Sequence, residues 1–125
     1  MLETGLKCTV QVTVTGENTA RAMGSGDLEV FATPSMLAAM ENAAMKAVAA
    51  ALPEGSTTVG SEIASTHLRP SGVGAVVSAT AVLVGVEGRK LTFEVSASDG
   101  EGTIGEGRHV RYIVDRERFM KKVIK

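Results

Sequence analysis

Val30 to Gly55 reads VFATPSMLAAMENAAMKAVAAALPEG, and how the one carboxylate on its apolar run, Glu41, is accommodated decides how the rest of the chain must fold. Thr33-Pro34 is a helix start: a threonine N-cap, then a proline at the first helical position, where its missing N–H costs nothing. Leu52-Pro53-Glu54-Gly55 is the stop. At about 100° per residue, Ser35, Asn42 and Lys46 fall within about 40° of one another and make a narrow polar stripe. Glu41 lies roughly 120° from that stripe, in the column of Leu37, Ala44 and Val48. It stands on a face of Ala, Leu, Met and Val that should be covered, where a solvated charge does not belong.

The 125 residues suit one domain, 1–125, large enough for a core of its own. Apolar residues make up 44% but aromatics only 3%, with no Trp, so that core is built from Ala, Val, Leu, Ile and Met. Many of these are β-branched, and with 14 glycines they favour a sheet with tight turns. A net charge of −1 argues against nucleic acid or an anionic membrane as partner. The single cysteine, Cys8, cannot form an internal disulfide and sits in an alternating run, where a small core residue is expected. No run of about 18 apolar residues occurs, and the opening MLETGLKCTV lacks a signal-peptide pattern, so the expected location is the cytoplasm.

Leu6 to Thr15 alternates small polar and β-branched residues, a first strand, and Gly16 to Glu29 is an irregular loop leading into the helix. After Gly55, strand-like segments run over Thr57 to Arg69, Ala75 to Val86, Lys90 to Ser98 and Thr103 to Val114. The short Gly-containing breaks between them demand antiparallel hairpins. Asp115 to Lys125 is a basic tail with a short closing helix. The order is therefore β-α-β-β-β-β, an α+β plan with one long helix. A helix apolar on most of its circumference cannot lie on a sheet with one stripe in contact; it needs cover on nearly all sides. An antiparallel curved sheet wrapped around it, with a second copy shielding the remainder, supplies that cover, and this is the hotdog architecture. A ferredoxin-like alternative would need a second long amphipathic helix, which the sequence does not offer.

Two histidines and one cysteine, with no HxxxH, CxxC or paired-Asp spacing, argue against a zinc or di-iron site. GSG at 24–26 and GEG at 105–107 lack the strand-turn-helix setting of a dinucleotide loop, and no Walker lysine follows. Three residues remain. Thr33 is either a plain N-cap or a hydroxyl at a helix start, where free N–H groups can hold a developing negative charge. Glu41 is either the buried partner of an Arg or Lys, or a charge retained at a cost for chemistry. His67, alternating with Val59 and Ile63 if no bulge intervenes, is either a satisfied core histidine or a base near neutral pH. His109 in GRHVR, alternating with Arg111, is expected on the sheet surface. A hydroxyl, a carboxylate and an imidazole together can support acyl transfer.

VFATPSMLAAMENAA, STHLRPSGVG, VEGRKLTFEVSASDG and IGEGRHVRYIV together resemble the fluoroacetyl-CoA thioesterase-like branch of the hotdog-fold thioesterases, in order and spacing from about Asn18 to Lys122. The resemblance implies a catalytic set of a threonine ahead of the central helix, a glutamate eight residues on and a histidine twenty-six further: Thr33, Glu41 and His67. It also implies an acyl-CoA thioesterase with CoA as part of the substrate and no other cofactor, working as a homodimer that binds CoA at the subunit interface. Arg69, Arg89 and Lys90 are the candidate CoA contacts. The chain departs from the pattern in the loop RAMGSGDLEVF, which has only Phe31 where the fluoroacetyl-specific enzymes look to carry a lid of aromatics. The other readings are a hotdog hydratase or dehydratase, needing an acid–base pair about the acyl α and β carbons, and a non-catalytic acyl-CoA-binding dimer.

Overall fold

A computed structural model describes residues 2–124. Alternation in the first segment gives β1 (Lys7–Thr13), and the loop after it contains a four-residue helix, α1 (Ala20–Met23), capped by the Thr19 hydroxyl. That short helix was not expected within Gly16 to Glu29. The long helix is α2 (Thr33–Ala49), followed by β2 (Ser56–Ser65), β3 (Val76–Glu87), β4 (Lys90–Asp99), β5 (Gly102–Asp115) and α3 (Arg116–Val123). The five strands make one antiparallel sheet in the order β1-β3-β4-β5-β2.

The sheet curves around α2, which packs against β1, β2, β3 and β4, as the apolar circumference of the helix requires. Met36, Ala39, Met40, Ala43, Ala44 and Val48 are buried on the helix; Ala79, Ala81, Leu83, Leu91, Phe93 and Ala97 meet them from the sheet. Alanines on both sides allow close approach, while each fully buried Met, Leu or Phe contributes about 1.5–3 kcal/mol. One side of α2 stays open: Ala38 is exposed, and Leu37, Glu41 and Met45 are half-buried. Cys8 is half-buried on the edge strand β1 rather than in the core.

Three details of the expected elements change, and each bears on the site. The N-cap of α2 is Ala32, with no side-chain cap bond; Thr33 is already helical, and its hydroxyl is engaged elsewhere. β2 carries a bulge between Gly60 and Glu62, which breaks the alternation linking Val59 to His67, and the strand stops at Ser65. A Cβ on Gly107 would run into the Ala64 carbonyl oxygen, and one on Gly105 into that of Thr66, so β2 and the segment after it press directly onto β5. Among the described residues no helix is long and apolar enough to cross a membrane.

Candidate active site

Leaving β2, the chain stays tied to β5 by Thr66 N–H to the Glu106 carbonyl at 3.0 Å and Leu68 N–H to the Ile104 carbonyl at 2.7 Å. This carries His67 to the start of α2, where its Nδ1 lies 2.7 Å from the Thr33 hydroxyl oxygen. His67 Nε2 is buried and has no hydrogen-bond partner among the described residues. Burial holds the imidazole below the ordinary histidine pKa and so favours its neutral form. The first-turn N–H groups of a helix lack intrahelical acceptors, and the dipole favours negative charge there. The pair borders a cleft of about 270 Å³ lined in part by Ala20, Ser25, Phe31 and Leu68.

The segment after His67 is pinned from two sides. Ser71 donates its hydroxyl to Asp99 at 2.8 Å, and the Ser71 carbonyl accepts the Phe31 N–H at 2.8 Å. Asp99 also accepts the Glu101 N–H at 2.8 Å and faces Arg69 at 3.4 Å. The Glu101 and Ser71 bonds, with Arg69, hold its carboxyl below the usual carboxylate range.

Glu41 occupies a second cluster. A Cβ on Gly60 would lie 3.0 Å from Glu41 Oε2, 3.2 Å from His109 Cε1 and 3.4 Å from Arg111 Nη1. His109 and Arg111 are only 1% and 7% exposed, so the expectation of a surface His109 is overturned. Their alternation on β5 was legible, but it points them inward towards α2; a buried arginine runs against every compositional prior. Arg111 donates from Nε to the Thr58 hydroxyl at 2.7 Å and from Nη2 to the Thr58 carbonyl at 2.9 Å. Its Nη1 meets His109 Nε2 at 3.1 Å, and His109 Nδ1 meets the Glu62 carbonyl at 2.7 Å. Burial lowers the His109 pKa, with Arg111 acting in the same direction against the opposing Glu62 bond and Glu41 charge. Glu41 is thus near the Arg111 charge, which it supports electrostatically, yet the ion pairs among the described residues are those of Arg69 with Asp99 and Lys121 with Glu117.

Thr33 and His67 are together; Glu41 is apart from them. Eight residues of helix separate Glu41 from Thr33, about 12 Å of rise. Arg89 and Lys90 lie at the β3–β4 turn, where Lys90 pairs with Tyr112. That is about 23 Å along β5 from Gly105, the end at which His67 sits. Arg69 is near His67 and lines the same cleft, with its guanidinium already turned towards Asp99.

A curved antiparallel sheet around one apolar helix, with a hydroxyl–imidazole pair at the start of that helix, defines a hotdog-fold thioesterase. The model of the fluoroacetyl-CoA-specific thioesterases matches residues 14–117, and the chain belongs to that family. It is 43% identical over 95 residues to the fluoroacetyl-CoA thioesterase of Streptantibioticus cattleyicolor, covering 76% of this chain and 68% of that one. A solved structure of the fluoroacetyl-CoA thioesterase FlK superposes with a TM-score of 0.91 at 36% identity, covering 98% of this chain and 96% of that one. A Thermus thermophilus member of the thioesterase superfamily gives 0.90 at 28% identity, over 98% and 91% of the two chains. The chain is an acyl-CoA thioesterase, a thioester hydrolase.

Proposed function

We propose that the substrate is a short-chain acyl-CoA, hydrolysed to free acid and CoA by Thr33, His67 and Glu41, and that two copies of the chain build each site. The observation that carries this reading is the 2.7 Å contact between Thr33 Oγ1 and His67 Nδ1 at the start of α2, together with the unpartnered His67 Nε2. For Nδ1 to take a proton, the imidazole must carry its own on Nε2, and a buried Nε2–H requires an acceptor. Glu41 of the same chain is too far along the helix to serve. Glu41 of a second copy, packed against the open side of α2, would accept that N–H and orient the base once the ring turns Nε2, covered within the single chain, towards it.

The N–H groups at the helix start would hold the thioester oxygen as it gains negative charge. His67 lifts a proton from the Thr33 hydroxyl or from water hydrogen-bonded to it. Water's oxygen ends on the acyl carbon, the C–S bond breaks, and the proton returns to the departing thiolate. A homodimer is supported by the exposed Ala38 and half-buried Leu37 and Met45 on α2, and by β2 standing at the edge of the sheet. Arg69, Arg89 and Lys90 remain the proposed CoA contacts; two copies would be needed for all three to approach one substrate.

The named activity of the relatives is on fluoroacetyl-CoA. Phe31, the one aromatic near the helix start, is 1% exposed and belongs to the core, so it forms no lid. We therefore propose small acyl groups without strong selection for fluorine. A panel of acyl-CoAs followed by free-thiol release tests this. Thiol release that falls with acyl length, with acetyl-CoA and fluoroacetyl-CoA processed at comparable kcat/KM, is the expected result. An absorbance change without thiol would instead mark a hydratase, and binding with neither a sensor.

A further inference from the structure

We propose that His109 is a positioning residue of this thioesterase, fixed as the neutral Nδ1–H tautomer so that its Nε2 lone pair holds the Arg111 guanidinium beside Glu41. The proposal rests on the thioesterase reading for its catalytic consequence and on geometry alone for the clamp. At 1% exposure His109 has no water to fall back on, and both ring nitrogens are committed. Nδ1 is 2.7 Å from the Glu62 carbonyl, which can only accept, so the hydrogen is on Nδ1. Nε2 is 3.1 Å from Arg111 Nη1, which can only donate, so Nε2 must be a lone pair. The Nε2–H tautomer and the imidazolium both set N–H against N–H there. Phe93, with its ring centre 6.2 Å away, packs beside the imidazole on the neighbouring strand.

The bulge in β2 ties this clamp to the site. The shift between Gly60 and Glu62 brings Gly60 opposite Arg111 and Ile63 opposite His109. Thr58 holds the far side of the guanidinium through its hydroxyl and its carbonyl. Three of the five guanidinium hydrogens are thereby committed, and two remain. Gly60 has no side chain, and Glu41 Oε2 comes to within 3.0 Å of where one would start. Without His109, Arg111 keeps its charge and Thr58 but loses the partner that stops it swinging about that anchor, and Glu41 loses a fixed counter-charge.

Two measurements test the clamp. Nitrogen-15 NMR of the full chain at neutral pH should show His109 with its hydrogen on Nδ1 and Nε2 unprotonated. An Nε2–H tautomer or an imidazolium would overturn the proposal without reference to activity. Steady-state hydrolysis of acetyl-CoA then supplies a double-mutant cycle. His109→Leu should lower kcat by about tenfold or more with KM changed less than about threefold, and should cost nothing further in an Arg111→Met background. His109→Gln, whose amide can accept from Arg111 and donate to Glu62, should recover most of the loss. Equal losses from His109→Leu with and without Arg111, or wild-type kcat in a folded His109→Leu protein, would overturn it. If His109→Leu does not fold, the NMR result and the His109→Gln kinetics decide. A wild type that releases no thiol from any acyl-CoA would sink the thioesterase reading and leave the clamp to the NMR result.

Discussion

Glu41 concentrates the argument at the scale of single residues. A carboxylate in an apolar column has either a structural cation or a chemical task, and the lack of a Glu41 ion pair among the described residues favours the proposed chemical task. Arg111, the nearby cation, is held by Thr58 and His109 rather than by a direct ion pair with Glu41. Glu41→Gln keeps the shape, so it should move stability by no more than about 1 kcal/mol, against the 3–5 kcal/mol expected on breaking a buried pair. Turnover should fall by about two orders of magnitude or more. The residual activity should also carry a pH signature. Burial lowers the His67 pKa, and a carboxylate on Nε2 would raise it. Removing that carboxylate should therefore shift the acidic limb of kcat/KM to lower pH. Thermal melts and pH–rate profiles on one variant check all three outcomes; an early melt with normal turnover would return Glu41 to a structural role.

At the scale of elements, the decisive feature is the direct contact between β2 and β5. Gly107→Ala would drive a methyl into the Ala64 carbonyl, backbone against backbone, where no side chain can move aside. The change should cost about 1–3 kcal/mol or more and lower kcat by displacing Thr66 and His67. Gly85→Ala, which would meet only the Thr92 side chain at 3.5 Å, should be much milder. Denaturant melts of the two variants side by side test the contrast. The strands, the helix and the closing α3 were legible because periodicity and Gly-containing turns are local signals. Thr33, Glu41 and His67 stood out by residue type, but spacing left each of them a structural alternative, and only the family resemblance joined them into a set. The β2 bulge was not, because a one-residue register shift depends on the partner strand. Nor was the true N-cap, since Thr33 spends its hydroxyl on a residue thirty-four positions away. His109 and Arg111 went unrecognised because two polar residues on one strand face ordinarily mark the solvent side; only the neighbouring Thr58 and Glu62 make their burial affordable.

At the scale of the whole molecule, two histidines, His109 buried and His67 half-buried, make the fold acid-sensitive. His67 and His109 both have pKa values lowered by burial, so below about 6.5 the unfolded chain binds protons that the native chain refuses. Stability should hold above that pH and decline as pH falls below it, with a further loss below the ordinary aspartate value as Asp99 is protonated. Melting temperature against pH tests this, and His109→Gln should reduce the first decline. In the proposed dimer the second copy would pack on the open side of α2 and the edge strand β2, and the separation of Glu41 from His67 would give that copy a chemical role. The most direct test is complementation between two inactive variants. Thr33→Ala and Glu41→Gln chains, differently tagged and co-expressed, are purified as the mixed dimer and assayed for thiol release. If each site takes Thr33 and His67 from one copy and Glu41 from the other, one of the two sites is intact and about half the wild-type activity returns. If all three residues act within one chain, every site carries a lesion, and a mixed dimer as inactive as its parents would contradict the shared site.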